Sequence, residues 1–246
     1  MKRTNYTVLK IVAVLTMIAG DMGYLLIHYL SDTWIMIMAA VGNLSFPLFA
    51  FMLTESFLRC RNKNRYKYKL ITLILLAVLS EIPFNIFVSG MWKYPLKNNV
   101  CFTLFLGFLM LILLDKDWLQ ICRYFKKHKK LKKIYSFLIK TVITSTFMLV
   151  NYLLCNDYSY TGILLIALFY LFRNHKLLRA VLPLLILILI LIISEANILY
   201  ILVIIDMILI AIYDSKDVNM PKPFKYGLRC IYPVMLSIMA VISKVI

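Results

Sequence analysis

Nine apolar stretches, separated by short polar or basic breaks, cover most of the chain. They lie near 8–30, 35–58, 70–88, 100–114, 134–155, 160–172, 180–194, 198–213 and 230–246. A helix needs roughly 20 apolar residues to cross the hydrocarbon of a bilayer, and most of these stretches approach that length. The pattern predicts an all-α protein: one polytopic transmembrane bundle of about nine helices that forms a single domain over 1–246. The shorter stretches are expected to be covered by neighbouring helices or to thin the bilayer locally.

Composition supports the same class. The chain has 246 residues, of which 63% are hydrophobic, and its mean hydropathy is +0.86, well above what a soluble core requires. The first apolar stretch follows Lys2 and Arg3, but it is too long for a secretory signal and no small-residue cleavage site follows it. We therefore expect a retained first helix and a multi-pass protein of the cell membrane.

Basic residues predict the orientation in the membrane, because Lys and Arg accumulate in cytoplasmic loops. They are concentrated in alternate loops, above all 59–69 and 115–133, which predicts a cytoplasmic N-terminus and, after nine crossings, an external C-terminus. This placement accounts for the net charge of +17 and makes nucleic acid an unexpected partner. The segment 115–133 is predicted to be a basic loop or surface helix on anionic lipid, with a docking patch for a polyanion such as coenzyme A as the alternative.

Four polar side chains interrupt the apolar stretches: Asp21, Asn43, Glu81 and Asp206. A carboxylate at the centre of a bilayer costs roughly 2.5–3.5 kcal/mol, so such groups are expected to face a polar interior. We interpret them as the lining of one site in the outer half of the membrane. The alternative is that each one joins neighbouring helices through hydrogen bonds.

Two further polar residues have neighbours at helical spacing. His28 follows Asp21 by seven residues, which returns to the same helix face about 10 Å further along, although an ordinary interfacial histidine is the alternative. Glu55 precedes Arg59 by four residues, which favours a local ion pair. The five cysteines have no C-x-x-C spacing, and we predict no metal site.

The chain resembles the TraX family in runs spread along nearly its whole length. The runs are 9–13, 23–26, 41–51 (VGNLSFPLFAF), 66–70, 80–85 (SEIPFN), 99–107 (NVCFTLFLG), 157–162 (DYSYTG) and 231–233 (IYP). The phrase FPLFAF at 46–51 is the most specific of them.

The resemblance implies a membrane acyltransferase. TraX proteins are associated with acetylation of the N-terminus of conjugative pilin, so acetyl-CoA is the implied co-substrate and a peptide or pilin-like protein the implied acceptor. General-base activation of an amine or hydroxyl and donors to an oxyanion are the chemistry required. The roles expected of this chain's own residues are Asp21 as base or base-orienter, Glu81 as a second acid-base group, Asn43 as oxyanion donor, His28 as a substitute base, and Arg65 and Lys69 as contacts for CoA phosphates.

The sequence also departs from the family pattern. The family usually has Asp-His at the position of Gly20-Asp21, Arg at that of Asn43, His at that of Met235 and Arg at that of Lys69. The alternative function is therefore a member that has lost catalysis and acts by interaction with an exported peptide. A small transporter that uses the buried carboxylates as proton or cation sites is the third possibility.

Overall fold

A computed structural model describes residues 5–60, 63–118, 129–193, 202–213 and 222–245. Within these ranges the chain forms α-helices and is otherwise turn or irregular, apart from isolated bridges. The helices are α1 Tyr6–Leu25, α2 Asp32–Asn43, α3 Ser45–Leu58, α4 Lys63–Ser89, α5 Val100–Asp115, α6 Lys129–Leu153, α7 Ser159–Leu171, α8 Lys176–Ile193, α9 Val203–Ala211 and α10 Lys222–Ile242. Only Leu44 separates α2 from α3, so the described helices form nine consecutive segments, and the all-α prediction is confirmed.

Four of these segments are long and apolar enough to cross a membrane: Tyr6–Leu25, Asp32–Leu58, Arg65–Ser89 and Lys130–Leu153. Helices α5 and α7 are shorter but strongly apolar, and they lie in the middle of the bundle. Their buried side chains include Phe108, Leu111, Ile166 and Phe169, which belong to the same hydrophobic core as Phe51 of α3. The rings of Phe51 and Phe169 meet edge to face, with centroids 5.5 Å apart. Burial by neighbouring helices explains how the short stretches predicted at 100–114 and 160–172 are accommodated.

Helices α4 and α6 present large apolar side chains to the surroundings. Leu79 on α4 is 64% exposed, and Phe137 and Val142 on α6 are 68% and 64% exposed. Apolar exposure on this scale is typical of a lipid-facing surface, because a soluble protein rarely leaves such a patch open. These faces of α4 and α6 are therefore suited to contact with the lipid bilayer.

Glycines allow α1 and α2 to cross in close contact. A Cβ built on Gly20 would lie 2.6 Å from the Cα of Gly42, and the reverse distance is also 2.6 Å. Small residues at such a crossing let two backbones approach closely, as is common between membrane helices. The crossing also brings together the residues that follow the two glycines, Asp21 and Asn43.

A side chain at either glycine is expected to push the two helices apart. We expect Gly42→Ala to lower the free energy of unfolding by about 1–3 kcal/mol, because overpacking strains a crossing that has no space for a methyl group. Thermal unfolding in detergent measures the effect. Gly20→Ala should act in the same direction, and an unchanged melting temperature in both variants would contradict the packing described.

Connections between helices define two ends of the bundle. One end contains the turns at 26–31, 90–99 and 154–158; we call it the cavity end, because the cavity described below lies there. The opposite end contains 59–60, 116–118 and 172–175. The sequence predicts that the cavity end faces outward, and this orientation remains a prediction. Most of the basic segment 115–133 lies outside the described residues. Its described ends are joined by an ion pair of 2.7 Å between Lys132 Nζ and Asp117 Oδ2.

Candidate functional site

A cavity of about 350 Å³ lies at the cavity end, between α1, α2, α3, α4 and α10 and the turns that precede α5 and α7. Asp21 and Asn43 line it, as the Gly20–Gly42 crossing requires. The polar side chains that join them there are Tyr24, Ser45, Lys97, Asp157, Tyr158 and Tyr232. The cavity is therefore a polar chamber enclosed by otherwise apolar helices.

Two turns that are far apart in the sequence supply much of the polar lining. The backbone N–H of Asn98 donates to the carbonyl of Cys155 at 2.9 Å, and that of Asp157 donates to the carbonyl of Asn98 at 3.0 Å. Beside this bridge, Lys97 Nζ lies 3.1 Å from Asp157 Oδ1. The pairing fixes Lys97 and Asp157 on the same wall of the cavity.

Buried asparagines hold the second turn in place. Asn151, which is fully buried on α6, donates through Nδ2 to the carbonyl of Ser159 at 2.5 Å and accepts at Oδ1 from Asn156 Nδ2 at 2.9 Å. The hydroxyl of Thr103 donates to the carbonyl of Asp157. These bonds satisfy backbone groups that would otherwise be buried without partners.

The same turn has a strained backbone. Cys155, Tyr158 and Ser159 have φ of 51°, 58° and 38°, in the left-handed region that side chains larger than glycine rarely adopt. Strain of this kind costs about 1–3 kcal/mol per residue, so it persists only where surrounding contacts hold the backbone in place. Such residues are often found at functional sites. The asparagine network provides those contacts, and the strained turn places Tyr158 in the cavity wall.

Loss of the asparagine network is expected to release the turn. We expect Asn151→Leu to destabilise the protein by about 1–3 kcal/mol, because the amide of Asn156 and the carbonyl of Ser159 would stay buried without their partner. Unfolding by heat in detergent provides the measurement. Thr146→Val, at an exposed threonine of the same helix, is the control and should have no measurable effect; equal stability of the two variants would contradict the role of Asn151.

Tyr158 stands at the centre of the site. Its ring stacks on Phe46 with centroids 3.9 Å apart and an interplanar angle of 15°. Burial raises the pKa of its hydroxyl above the usual range, so the group is neutral and able to donate a hydrogen bond at physiological pH. Tyr158 also lines a second cavity, which places it between two chambers.

The second cavity has a volume of about 180 Å³ and shares Asn43, Phe46 and Tyr158 with the first. Most of its remaining wall is apolar and is formed by Pro47, Leu165, Leu187, Ile190 and Val203. It continues from the polar chamber toward α8 and α9. The two chambers differ in chemistry, since one is polar and the other is mainly hydrocarbon.

The structure brings together two of the four predicted catalytic residues. Asp21 and Asn43 share a cavity, whereas neither Glu81 nor His28 lines it. Glu81 Oε2 accepts a hydrogen bond of 2.6 Å from Asn99 Nδ2, and Asn99 in turn caps the N-terminus of α5 through Cys101. His28 lies exposed in the turn after α1.

The predicted contacts for CoA phosphates lie on α4 near the opposite end. Arg65 is exposed there, one turn before Lys69. Lys69 Nζ donates to the carbonyl of Ser56 at 2.7 Å and lies 6.0 Å from the centre of the Phe108 ring. Arg65 and Lys69 are not among the described lining residues of either cavity.

A buried ion pair lies on the same side of the core. Arg179 Nη1 lies 3.2 Å from Glu55 Oε1, and both side chains are nearly inaccessible, at 7% and 11% exposure. The structure therefore gives Glu55 a different partner from the Arg59 expected at helical spacing. The guanidinium of Arg59 donates to the hydroxyl of Tyr213 at 2.5 Å, and its charge also acts on the carboxyl group of Glu55.

Asp206 is the most isolated of the predicted polar residues. It is fully buried on α9, and neither carboxyl oxygen has a hydrogen-bond partner within the described part of the chain. Val203, one turn earlier on the same helix, lines the second cavity. Asp206 is therefore near the second cavity, although it is not among the described lining residues of either cavity.

The sequence places Asp157 at the outer end of a helix, within the polar group interpreted as a site, but no catalytic or binding role was predicted for Lys97, Asp157, Tyr158 or Tyr232. A signal was present for three of them, since Asp157 and Tyr158 begin the run DYSYTG and Tyr232 is in the run IYP. No local pattern in the sequence indicated Lys97, because its place in the cavity depends on the backbone bridge between its neighbour Asn98 and Asn156 in a distant turn. Among the described residues, no three His, Cys, Asp or Glu side chains are grouped as a metal ion would require.

Comparison with known proteins gives one match. The family model described as TraX protein matches residues 5–243. No curated protein and no solved structure matches the chain. With a match over nearly its full length and apolar helices long enough to cross the bilayer, the chain belongs to the TraX family and is a multi-pass integral protein of the cell membrane.

Proposed function

We propose that this protein is an acyltransferase that moves an acetyl group from acetyl-CoA to an amine or hydroxyl, such as the N-terminus of a pilin-like peptide. The observation that carries the proposal is the position of Asp21, a carboxylate that faces a polar chamber together with the amide of Asn43 and the phenol of Tyr158. A base and two donors around one chamber are the groups that acyl transfer requires.

Asp21 acts as general base in this proposal. It takes a proton from the acceptor amine as the nitrogen attacks the thioester carbonyl, so that a C–N bond forms. The tetrahedral intermediate then collapses with cleavage of the C–S bond, and the CoA thiolate leaves and is protonated. A positioned base of this kind contributes typically 10²–10⁴-fold to the rate.

Asn43 and Tyr158 stabilise the negative charge that develops on the carbonyl oxygen. The side-chain amide and the neutral phenol are both hydrogen-bond donors, and both lie at the junction of the two chambers. Fixed donors in a site that excludes water are worth more than the same donors in solution. The stacking of Tyr158 on Phe46 keeps its ring in one orientation.

The carboxylates favour an amine as acceptor. Asp157 is paired with Lys97, whereas Asp21 has no ion pair in the described part of the chain. An ammonium group is therefore attracted into the chamber beside Asp21. It first loses one proton to water, and the neutral amine then attacks the thioester while Asp21 takes the second proton. A hydroxyl acceptor lacks this attraction.

The donor is proposed to bind through the basic end of α4. Arg65 is exposed and suits a phosphate contact, because a guanidinium forms paired hydrogen bonds with phosphate oxygens. Lys69 is held against Ser56 and adds positive charge beside that contact. The acetyl thioester supplies the activated acyl group, while the chain supplies the base, the donors and the enclosure.

An assay of acetyl transfer to a peptide tests the proposal. Full-length protein in lipid nanodiscs is incubated with acetyl-CoA and a peptide that has a free N-terminus, and release of CoA thiol is followed. Peptide-dependent thiol release is expected, together with a mass increase of one acetyl group. The same peptide with a blocked N-terminus is the control and should release none.

A catalytically lapsed protein that binds an exported peptide is the second candidate. It is favoured by one observation: among the described residues that line the polar cavity there is no histidine, although the family pattern places one at position 21. Calorimetry with acetyl-CoA separates the two. Absence of binding, with no thiol release, would reject the acyltransferase and leave the interaction protein.

A further inference from the structure

We infer that the second cavity is an acyl-chain pocket, so that the site also takes donors whose acyl group is longer than acetyl. The inference rests on the proposed function and concerns the same site. Its basis is the junction at Asn43 and Tyr158, where a thioester carbonyl would lie with one chamber on each side. The acceptor occupies the polar chamber, and the acyl chain extends into the apolar one.

The size of the second cavity exceeds what an acetyl group needs. An apolar cavity of about 150 Å³ inside a protein accommodates a benzene ring, which has six carbon atoms. The second cavity, at about 180 Å³, therefore has space for a chain of about six carbons. An acetyl group would leave most of this space empty, and the side chains around the empty space would lose dispersion contacts.

The wall of the second cavity suits a hydrocarbon. Leu165 and Val203 are buried, Leu187 and Ile190 are half-buried, and Phe46 closes the side next to the polar chamber. Burial of each methylene of a chain among such groups is favourable by an amount that corresponds to roughly fourfold in affinity. The chemical class of ligand is thus a saturated chain whose carbonyl carbon lies beside Asn43.

Binding of unreactive donor analogues tests the inference. S-ethyl-, S-butyl-, S-hexyl- and S-octyl-CoA thioethers are titrated into full-length protein in nanodiscs of fixed lipid composition. Affinity is expected to rise roughly fourfold per methylene up to about six carbons and then level off. The thioethers lack the carbonyl, so the measurement does not depend on turnover.

Two matched variants of α8 provide the control. Leu187 lines the second cavity, whereas Leu189 is 55% exposed on the outer face of the same helix. Leu187→Trp is expected to abolish the gain in affinity with chain length. Leu189→Trp should reproduce the wild-type series. Leu187→Ala enlarges the cavity and should move the plateau to longer chains, which keeps the test valid if the tryptophan variant does not fold.

The outcomes separate this inference from the proposed function. Equal affinity for all four thioethers would overturn the pocket, for example because a bilayer lipid chain fills it, while CoA as donor would stand. A gain with chain length that persists in Leu187→Trp would also overturn it, since the chain would then bind elsewhere. Failure of every thioether to bind would remove both the pocket and the CoA donor.

Discussion

Asp21→Asn is expected to reduce the rate of acyl transfer by roughly 10²–10⁴-fold, because the variant loses the proposed general base and keeps the shape of the side chain. An amide cannot take a proton from the attacking amine. Binding of the acetyl donor should change little, since Asp21 faces the acceptor chamber and has no part in the proposed phosphate contacts. The loss should therefore appear in kcat and not in KM for the donor.

The measurement is thiol release by full-length protein in nanodiscs, with thermal unfolding recorded for each variant. Asp32→Asn is the matched control, because Asp32 is exposed in the first turn of α2 and the chemical change is identical. Its rate should equal that of the wild type. Unchanged turnover in a correctly folded Asp21→Asn protein would exclude Asp21 as the base.

The departures from the family pattern have structural counterparts in this chain. The glycine at position 20 is required by its contact with Gly42, since the family's aspartate would place a Cβ 2.6 Å from a backbone carbon. Met235, where the family usually has histidine, is buried in an apolar cluster with Met17 and Leu236. In the proposed function, the carboxylate of Asp21 therefore takes the acid-base role at the position where the family usually has imidazole.

The helices were predictable because a membrane imposes a simple rule on the sequence. Every backbone polar group must be paired inside its own segment, so an apolar stretch of sufficient length forms a helix whatever its neighbours are. Each of the nine predicted stretches overlaps a helical segment in the described part of the chain. Their ends were less predictable: the helix predicted from residue 134 begins at Lys129, because basic residues continue the helix beyond the apolar stretch.

The site was predictable only in part. The cost of burying polar groups singled out Asp21 and Asn43, and the crossing of α1 and α2 brings both to one cavity. Glu81 was selected for the same reason, but the cost of burying a carboxylate does not say which group pairs with it. In the structure Asn99 is the hydrogen-bond partner of Glu81. The pairing of Lys97 with Asp157 depends on the approach of two turns, and no local pattern in the sequence contains that information.

The ion-pair partner of Glu55 was likewise not predictable from neighbouring residues in the sequence. Four residues separate it from Arg59, which favours an ion pair on one helix face, yet its partner Arg179 is 124 residues away. The guanidinium of Arg179 also lies 4.8 Å from the centre of the Phe51 ring. In a core with few polar groups, a buried carboxylate pairs with whichever cation the fold buries beside it.

Arg179→Met is expected to destabilise the protein by about 3–5 kcal/mol, because it leaves the buried carboxylate of Glu55 without its partner. Thermal or denaturant unfolding in detergent measures the change. Lys132→Met removes the cation of an exposed pair with Asp117 and is the control, for which a loss of less than about 1 kcal/mol is expected.

A second substitution separates the value of the pair from the cost of an unpaired charge. The double variant Glu55→Leu with Arg179→Met replaces both ions with apolar side chains of similar size, and it should recover most of the stability lost in Arg179→Met, since neither desolvated charge remains. A double variant as unstable as Arg179→Met would contradict this account. The stability would then depend on contacts of the guanidinium with Phe51 and with the carbonyl of Ile210, which hold α8 against α3 and α9.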